Sequence, residues 1–394
     1  MRIGIDASRA NKPIKTGTEW YSYHLIQWFK KIDNKNHYFL YTNAPLKSGL
    51  ENCPPNFEEK ILRWPPGRLW TQFRLSWEML VTRCALRCDS GWARSVYKIL
   101  QDAGRGKGKT IDRLFVSAHV IPLIHPKNTI VTIHDIGFER FPEIYPWYDI
   151  VYHQWAIRFA KRAASKIITI SEFSKKELID VFKIKPEKIH VVYNGYDDEK
   201  YRPHELAEID SVKSKYNLKN PYLIFVGRLE EKKNTPFLVE CFAQFKKKFP
   251  EYKLVLVGRR GHGFDRVENN IGRFGLENEV IFPGWVDSDD LSKLLAGAKA
   301  LIFPSLYEGF GIPVIEAMAC GVPVVCSNTT SLPEVVGKGA ILVDPKSKDQ
   351  MVEAMGKIVS DEILRRDLIE KGLENAKRFS WEKCARESLE VILS

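Results

Sequence analysis

Ala300-Leu301-Ile302-Phe303-Pro304-Ser305 leads into Glu308-Gly309-Phe310-Gly311-Ile312-Pro313 and then Glu316-Ala317-Met318-Ala319-Cys320-Gly321. A short apolar run, a glycine pair and a proline before a second apolar run predict a buried strand, a turn and the head of a helix. Gly309 and Gly311 let the backbone approach a ligand closely, and a helix N-terminus presents N–H donors with partial positive charge. Glu308 and Glu316 can accept hydrogen bonds from sugar hydroxyls. The stretch suits a ligand carrying hydroxyls and a phosphate. By spacing alone, an ordinary strand-to-helix turn with surface glutamates fits as well.

The same alternation extends in both directions. Strand-like runs are predicted at Arg2–Asp6, Tyr38–Thr42, Asp112–Val116, Thr129–Thr132, Lys166–Ile170 and His190–Tyr193. They resume at Tyr222–Val226, Lys253–Val257, Val280–Phe282, Ala300–Phe303, Val322–Val325 and Ala340–Val343. Most are apolar without alternation, as in parallel strands covered on both faces. Helical stretches such as Thr235–Phe249, Asp290–Gly297 and Gln350–Ser360 separate them. Repeated βα units predict an α/β protein of two doubly wound Rossmann-like domains, with ligands at the carboxyl ends of the strands. A chain of 394 residues also favours two cores over one. Polar residues at Asp197–Asn220 set the expected boundary: domain one over 1–215, domain two over 216–375, and a final helix over 376–394. A cleft between two such domains is the expected site.

No apolar run approaches the roughly 20 residues that span a bilayer, and MRIGIDASRA lacks a signal-peptide core, so a cytoplasmic protein is expected. Seven scattered cysteines argue against a disulfide framework, and Cys84 and Cys88 read as reduced packing residues. The net charge of +11 is one-sided. Residues 1–215 hold 35 Lys and Arg against 24 Asp and Glu, whereas the remainder has 25 of each. Such a surplus fits an anionic membrane surface, a nucleic acid, or simply a basic soluble domain.

Residues 60–113 interrupt the pattern with Trp64, Trp70, Trp77 and Trp92 beside Arg63, Arg68, Arg74, Arg83, Arg87 and Arg94. Trp70, Phe73, Trp77, Leu80, Val81 and Cys84 recur at helical spacing, predicting an apolar stripe that packs on its own domain or lies in a membrane interface. Two motifs here and further on are decoys. Ala103-Gly104-Arg105-Gly106-Lys107-Gly108-Lys109-Thr110 matches a loose phosphate-loop pattern, but a helix-like run precedes it and a strand follows, the inverse of the required order. Asp287-Ser288-Asp289 resembles a metal-binding Asp-x-Asp, yet it abuts a helical run, so Asp289 or Ser288 is expected to cap that helix. No metal set is expected.

Four strand ends carry candidate chemistry. Val226-Gly227-Arg228 with Lys233-Asn234 can place two cations on a diphosphate. Lys15-Thr16-Gly17-Thr18-Glu19 opens a helix where Gly17 either brings backbone N–H groups to a phosphate or is part of a plain cap. His134-Asp135 closes a strand; His134 could donate to a sugar hydroxyl or stabilise charge with Asp135 fixing its orientation, or it could be a structural histidine. Ser171-Glu172-Phe173-Ser174 fits ligand contact or a helix cap.

Together these segments resemble the retaining GT-B glycosyltransferases of family four. The resemblance rests on Glu308 through Glu316 (the family's Glu-x7-Glu motif), on Gly227-Arg228 with Lys233-Asn234, and on His134-Asp135, Ser171-Glu172-Phe173-Ser174, Asn194-Gly195 and Ser331-Leu332-Pro333-Glu334-Val335. It covers nearly the whole chain except an insertion at about 83–110. It implies a nucleotide-diphosphate sugar held by the second domain. Arg228 and Lys233 would grip the diphosphate, with Gly227, Asn194 and Ser171 nearby and Gly17 closing from the first domain. Glu316 would take the ribose hydroxyls; Glu308, Gly309, Phe310, Gly311 and Ile312 would contact the donor sugar, with His134 and Asp135 close to the transferring carbon. The acceptor would lie on the first domain, onto which the last helix crosses back. No cofactor and no metal are implied.

Leu114-Phe115-Val116-Ser117-Ala118-His119-Val120 and Thr132-Ile133-His134-Asp135-Ile136-Gly137-Phe138 are most similar to mannosyl- and rhamnosyltransferase-type members. GDP-mannose is therefore the expected donor, with a UDP-sugar as the alternative. A saccharide or lipid-linked saccharide of envelope polysaccharide synthesis is the expected acceptor. The basic, Trp-bearing segment would suit a protein peripheral to the inner face of the plasma membrane. A nucleic-acid-binding module would explain the basic half, but not the glycine and glutamate constellation in the neutral half, so no nucleic acid partner is expected.

Overall fold

A computed structural model describes residues 1–64, 70–84 and 111–394, with side chains of 82–84 excepted. The decoy loop at 103–110, Cys88 and the side chain of Cys84 lie outside the described residues. Two parallel sheets organise the chain. The first contains β1 (Arg2–Asp6), β2 (His37–Thr42), β3 (Phe57–Ile61), β4 (Arg113–Val116), β5 (Thr129–Thr132), β6 (Lys166–Thr169) and β7 (Ile189–Val191), in spatial order 3-2-1-4-5-6-7. The second contains β8 (Tyr222–Val226), β9 (Lys253–Val257), β10 (Val280–Gly284), β11 (Ala300–Phe303), β12 (Val324–Ser327) and β13 (Ala340–Val343), in order 10-9-8-11-12-13. The two central strands of the second sheet, β8 and β11, are wholly buried apolar runs, because helices cover each face of the sheet.

Fourteen helices serve the site and its frame among the described residues. Following the strands of the first sheet are α1 (Gly17–Ile32), α2 (Ser76–Cys84), α3 (Gly137–Arg140), α4 (Trp147–Ala163) and α5 (Glu172–Phe182). With the second sheet come α6 (Leu206–Lys215), α7 (Thr235–Phe245), α8 (Phe264–Phe274), α9 (Ser288–Ala296), α10 (Ile312–Ala319), α11 (Leu332–Val336), α12 (Lys348–Ser360) and α13 (Glu362–Ala376), and the chain closes with α14 (Trp381–Leu393). Helix α7 is apolar nearly all round, since it is enclosed between β-sheet, α8 and α12.

The chain divides into an N-terminal unit of Met1–Phe138, Tyr145–Tyr193 and Trp381–Ser394, and a C-terminal unit of Glu139–Ile144 and Asn194–Ser380. The boundary thus falls before α6 rather than after it. Lys215 Nζ and Tyr216 Oη donate to Asp290 at 2.5 and 3.0 Å, tying α6 to α9. At the far end, residues 376–380 stay with the C-terminal unit, where Phe379 meets Phe310 edge-on at 5.6 Å. From Trp381 onward the chain packs in the N-terminal unit. Trp381 stacks on His24 of α1 at 4.7 Å, and Arg113 and Lys166 donate to the last carbonyls of α14, Ile392 O at 2.6 Å and Val391 O at 3.3 Å.

Two local readings are corrected. Strand β3 was not expected, because Phe57-Glu58-Glu59-Lys60-Ile61 holds three successive charged residues between two apolar ones. It is the sheet edge, where charge protects an unpaired border. The stripe that starts at Trp70 does not stay on the buried face through Phe73 and Trp77. Thr71–Leu75 is a π-helical turn, which adds a residue per turn and shifts the phase, so Trp70, Leu75 and Met79 face the core while Phe73 and Trp77 are half exposed.

Candidate functional site

In each sheet the strand order reverses beside the first strand of its unit, between β1 and β4 and between β8 and β11. Loops leaving the carboxyl ends there diverge to opposite faces and leave a crevice. The C-terminal unit fills its crevice with charge. Lys233, in the turn after β8, places Nζ 2.5 Å from Glu308 Oε1, after β11. Ser305 Oγ donates to the same oxygen at 2.8 Å. The two charged side chains are only 17% and 11% exposed, so each depends on the other for compensation.

The Glu308 loop is fixed from behind. Thr330 Oγ1 accepts from the Glu308 amide at 3.3 Å, and Ser331 Oγ donates to the carbonyls of Glu308 and Phe310 at 2.9 and 3.0 Å. Gly311 caps α10 with φ +104°, and a Cβ there would lie 2.7 Å from Leu332 Cδ2, so both conformation and space demand glycine. Having no side chain, it leaves the positive end of α10 to an outside acceptor.

Arg228 extends into solvent, 68% exposed, with Glu230 Oε2 3.7 Å away. A second glycine–arginine loop runs beside it. Leu229 N donates to Arg259 O and Gly261 N to Leu229 O, both at 2.9 Å. Gly258 has φ +146°, and a Cβ on it would sit 1.8 Å from Gly227 O. Sequence reasoning missed this loop, although Val257-Gly258-Arg259 repeats the strand–glycine–arginine pattern of Val226-Gly227-Arg228.

Burial, with Asp197 adding to it, pushes the Glu316 carboxyl up to about 8 against a hydrogen bond with Tyr201. Tyr201, also missed from sequence, thus holds a carboxyl that is largely neutral at pH 7. Asn194 is buried, and its Oδ1 has no partner. Asp287, rather than Ser288 or Asp289, caps α9, accepting from the amides of Asp289 and Asp290 at 3.1 and 3.0 Å. Among the described residues no group of three His, Cys, Asp or Glu could hold a metal ion.

The N-terminal unit instead surrounds a cavity of about 970 Å³. It is lined by Asp6, Ser8 and Arg9 after β1, Ser117 and Ala118 after β4, Trp70 and Thr71, and Tyr148, Tyr152 and His153 of α4. Asp6 Oδ1 accepts from Ser8 N and Oγ at 3.0 and 2.6 Å, and Thr71 Oγ1 donates to Oδ2 at 3.2 Å. Glu19, in the first turn of α1, draws the cations inward. Burial opposes its ionisation, but Thr16, Lys12 and Arg9 together hold the carboxyl at about 2. The Asp6-Ala7-Ser8-Arg9 cluster went unnoticed in the sequence, although it directly follows the first strand.

His134 sits at the end of β5, buried, with Nε2 3.0 Å from Ser117 O. A carbonyl only accepts, so Nε2 carries the proton and Nδ1 is left as an acceptor. Burial pushes the ring down to about 4, making it neutral at pH 7. The expected donor or cation is therefore an uncharged ring whose N–H is committed. Nor does Asp135 orient it; Asp135 Oδ1 accepts from Gly137 N at 2.8 Å and caps α3. Ser171 is likewise the N-cap of α5, accepting from Ser174 N at 3.0 Å, while Ser174 Oγ donates to His134 O at 3.0 Å. Gly17 is the first residue of α1, behind a Thr16–Glu19 capping box. A Cβ built on it would meet nothing within 4 Å, so packing does not demand glycine there.

With this geometry in view, comparisons with known proteins decide the family. Residues 206–375 match the family described as "Glycosyl transferases group 1", and residues 113–200 match "Glycosyltransferase Family 4". The O-antigen chain mannosyltransferase B of Escherichia coli is 34% identical over 265 residues, spanning 67% of this chain and 69% of that protein. The chain belongs to glycosyltransferase family four. The first match contains Arg228, Lys233, Glu308 and Glu316 of this glycosyltransferase, and the second contains His134, Ser171 and Asn194. The MMP alpha-(1->4)-mannosyltransferase of Mycolicibacterium hassiacum is 28% identical over 256 residues, 64% of this chain and 59% of that protein. The serotype-specific mannosyltransferase WbdA of E. coli matches over 58% of this chain but only 28% of its own length.

The solved structure of Anabaena Alr3699/HepE in complex with UDP and glucose superposes with a TM-score of 0.69 at 21% identity, covering 100% of this chain and 99% of that one. WaaG, a glycosyltransferase involved in lipopolysaccharide biosynthesis, gives 0.69 at 16% identity over 100% and 99%. At those identities the likeness is one of fold, and the fold is GT-B.

Proposed function

We propose that this glycosyltransferase moves a mannosyl group from GDP-mannose to a saccharide or lipid-linked saccharide, with retention at the anomeric carbon and without a metal ion. The observation that carries it is the Lys233–Glu308–Ser305 cluster at the β8/β11 reversal, beside Arg228 and the open end of α10. The mannosyl donor is supported by the two mannosyltransferases from E. coli and M. hassiacum.

The C–O bond to the nucleotide breaks with its electron pair leaving on the diphosphate, so negative charge accumulates on phosphate oxygens. Arg228, Lys233 and the amides at Gly227 and Gly311–Ile312 would stabilise that charge in place of a divalent ion. Glu316 would accept from the ribose hydroxyls, and Asn194, with its unpartnered oxygen, would take a further donor. Glu308 would hold the sugar together with Gly309 and Phe310. The acceptor oxygen bonds to the anomeric carbon, and its proton passes to the departing phosphate oxygen. Glu308 Oε1 already accepts from Lys233 and Ser305, which weakens it as a nucleophile and favours this front-face route over a covalent one. The His134 Nδ1 would accept from a hydroxyl, and Asp135 and Ser171 would support it through the turns they cap.

A thermal-shift panel of GDP-mannose, UDP-glucose, UDP-GlcNAc, dTDP-rhamnose and ADP-glucose, with and without EDTA, tests the donor. A ligand at 100 times its Kd stabilises by about 2.7 kcal/mol. GDP-mannose should give the largest shift, unaffected by EDTA, and NMR of the product should show the donor's anomeric configuration. A larger shift with a UDP-sugar, or loss of turnover on chelation, refutes the assignment.

A further inference from the structure

Helix α4 has three unlike sides. Ala156, Ile157 and Ala160 are buried in the core of the N-terminal unit. Tyr148, Tyr152 and His153 line the cavity. On the remaining side Trp147, Val151 and Trp155 stand at four-residue intervals, 75%, 56% and 39% exposed. Residues so spaced form one continuous ridge on a helix. The ridge continues through Arg158 and Arg162, both exposed.

An exposed ridge of tryptophan and valine running into arginine is the pattern of a helix lying in a lipid interface, with aromatic rings at headgroup depth and cations reaching phosphates. The charge agrees: α4 carries Arg158, Lys161 and Arg162 against Asp149, within the half of the chain that holds the whole basic surplus. This is not the segment at 60–113 that the sequence singled out. We propose that the Trp147–Val151–Trp155 ridge docks on an anionic phospholipid bilayer, so that the cavity behind the same helix takes a saccharide anchored in that membrane. The second half of this statement rests on the glycosyltransfer reading above; the first does not.

The test is co-sedimentation of the full chain with vesicles of phosphatidylglycerol and phosphatidylcholine, and with phosphatidylcholine alone, at low and high salt. Wild type should partition onto the anionic vesicles and be released by salt. A Trp147→Glu/Trp155→Glu variant should lose at least tenfold in partition, and a milder Trp147→Ser/Trp155→Ser variant should lose less. The Phe73→Ser/Trp77→Ser variant should bind as wild type. A retained nucleotide-induced thermal shift shows that the variants are folded. Unchanged partition of the glutamate variant, equal partition onto neutral vesicles, or a wild-type dimer in light scattering that the variant dissociates without vesicle binding, each overturns the docking. On turnover, the variant should lose activity toward a lipid-linked acceptor in vesicles and keep it toward a short water-soluble one; equal loss on both overturns the membrane-fed cavity. Failure of every sugar nucleotide to bind would sink the glycosyltransfer reading while leaving vesicle binding intact.

Discussion

The two strand-order reversals obey one topological rule and are furnished in opposite ways. Between β8 and β11 the chain concentrates charge: a tight lysine–glutamate pair, a projecting arginine and an uncapped helix end. Between β1 and β4 it builds volume, a cavity of about 970 Å³ beside a neutral histidine. Charge fixed in advance suits a leaving group that becomes more negative. A roomy cavity lined by hydroxyls together with Asp6, Arg9, Lys12 and Asp149 suits a larger partner recognised by shape and many hydrogen bonds.

Lys233→Met should produce the largest effect, because it removes a leaving-group cation and strands Glu308 without compensation. A loss of about 10²–10³-fold in kcat is expected, the magnitude seen when one charge-stabilising donor is removed. Steady-state kinetics checks it, and a change under threefold would mean that the C-terminal reversal is not where charge is handled. His134→Phe should act more gently, since a neutral acceptor is lost rather than a cation. A fall of roughly tenfold in kcat is expected, less than the ~10²–10⁴-fold of a group that transfers a proton, because this ring only accepts a hydrogen bond. GDP affinity by calorimetry should hold within about twofold, because the ring lies in the other unit. Equal damage to GDP binding would erase the contrast between the two reversals.

The smallest effect is a pH dependence. Ribose hydroxyls donate to a carboxylate, so nucleotide binding should favour ionised Glu316 and release a proton. GDP affinity should rise by a few-fold between pH 6 and 8.5 through the carboxyl's value of about 8, and Glu316→Gln should be flat. Calorimetry in two buffers of different ionisation enthalpy measures the proton directly. The stability linkage has the opposite sign. Because folding raises this carboxyl from 4.5, its contribution is complete below about 4.5 and is lost as pH rises through about 8.

Much of this contrast was legible in the residues. The apolar runs at Tyr222–Val226 and Ala300–Phe303 became β8 and β11 at their expected bounds, since a strand buried on both faces has nothing to disguise it. Strand β3 was hidden because its edge position is protected by charge, and the charged run Glu58-Glu59-Lys60 reads as surface. The helical phase after Trp70 was misjudged because a π-turn leaves no composition signature. His134 was found, but its protonation was not, as that follows from a carbonyl supplied by Ser117, 17 positions away in sequence.

Local residue pattern alone determined the α/β class, the two sheets, the glycine–arginine and Glu-x7-Glu segments and the family. Those depend on hydrophobic period and turn chemistry, which short stretches carry within themselves. Only the tertiary structure decided that Lys233 meets Glu308 across 75 positions, that Glu316 is held protonated by enclosure near Tyr201, and which side of α4 faces the cavity and which faces outward. Desolvation and pairing are properties of neighbours, and neighbours distant in sequence exist only once the chain has folded.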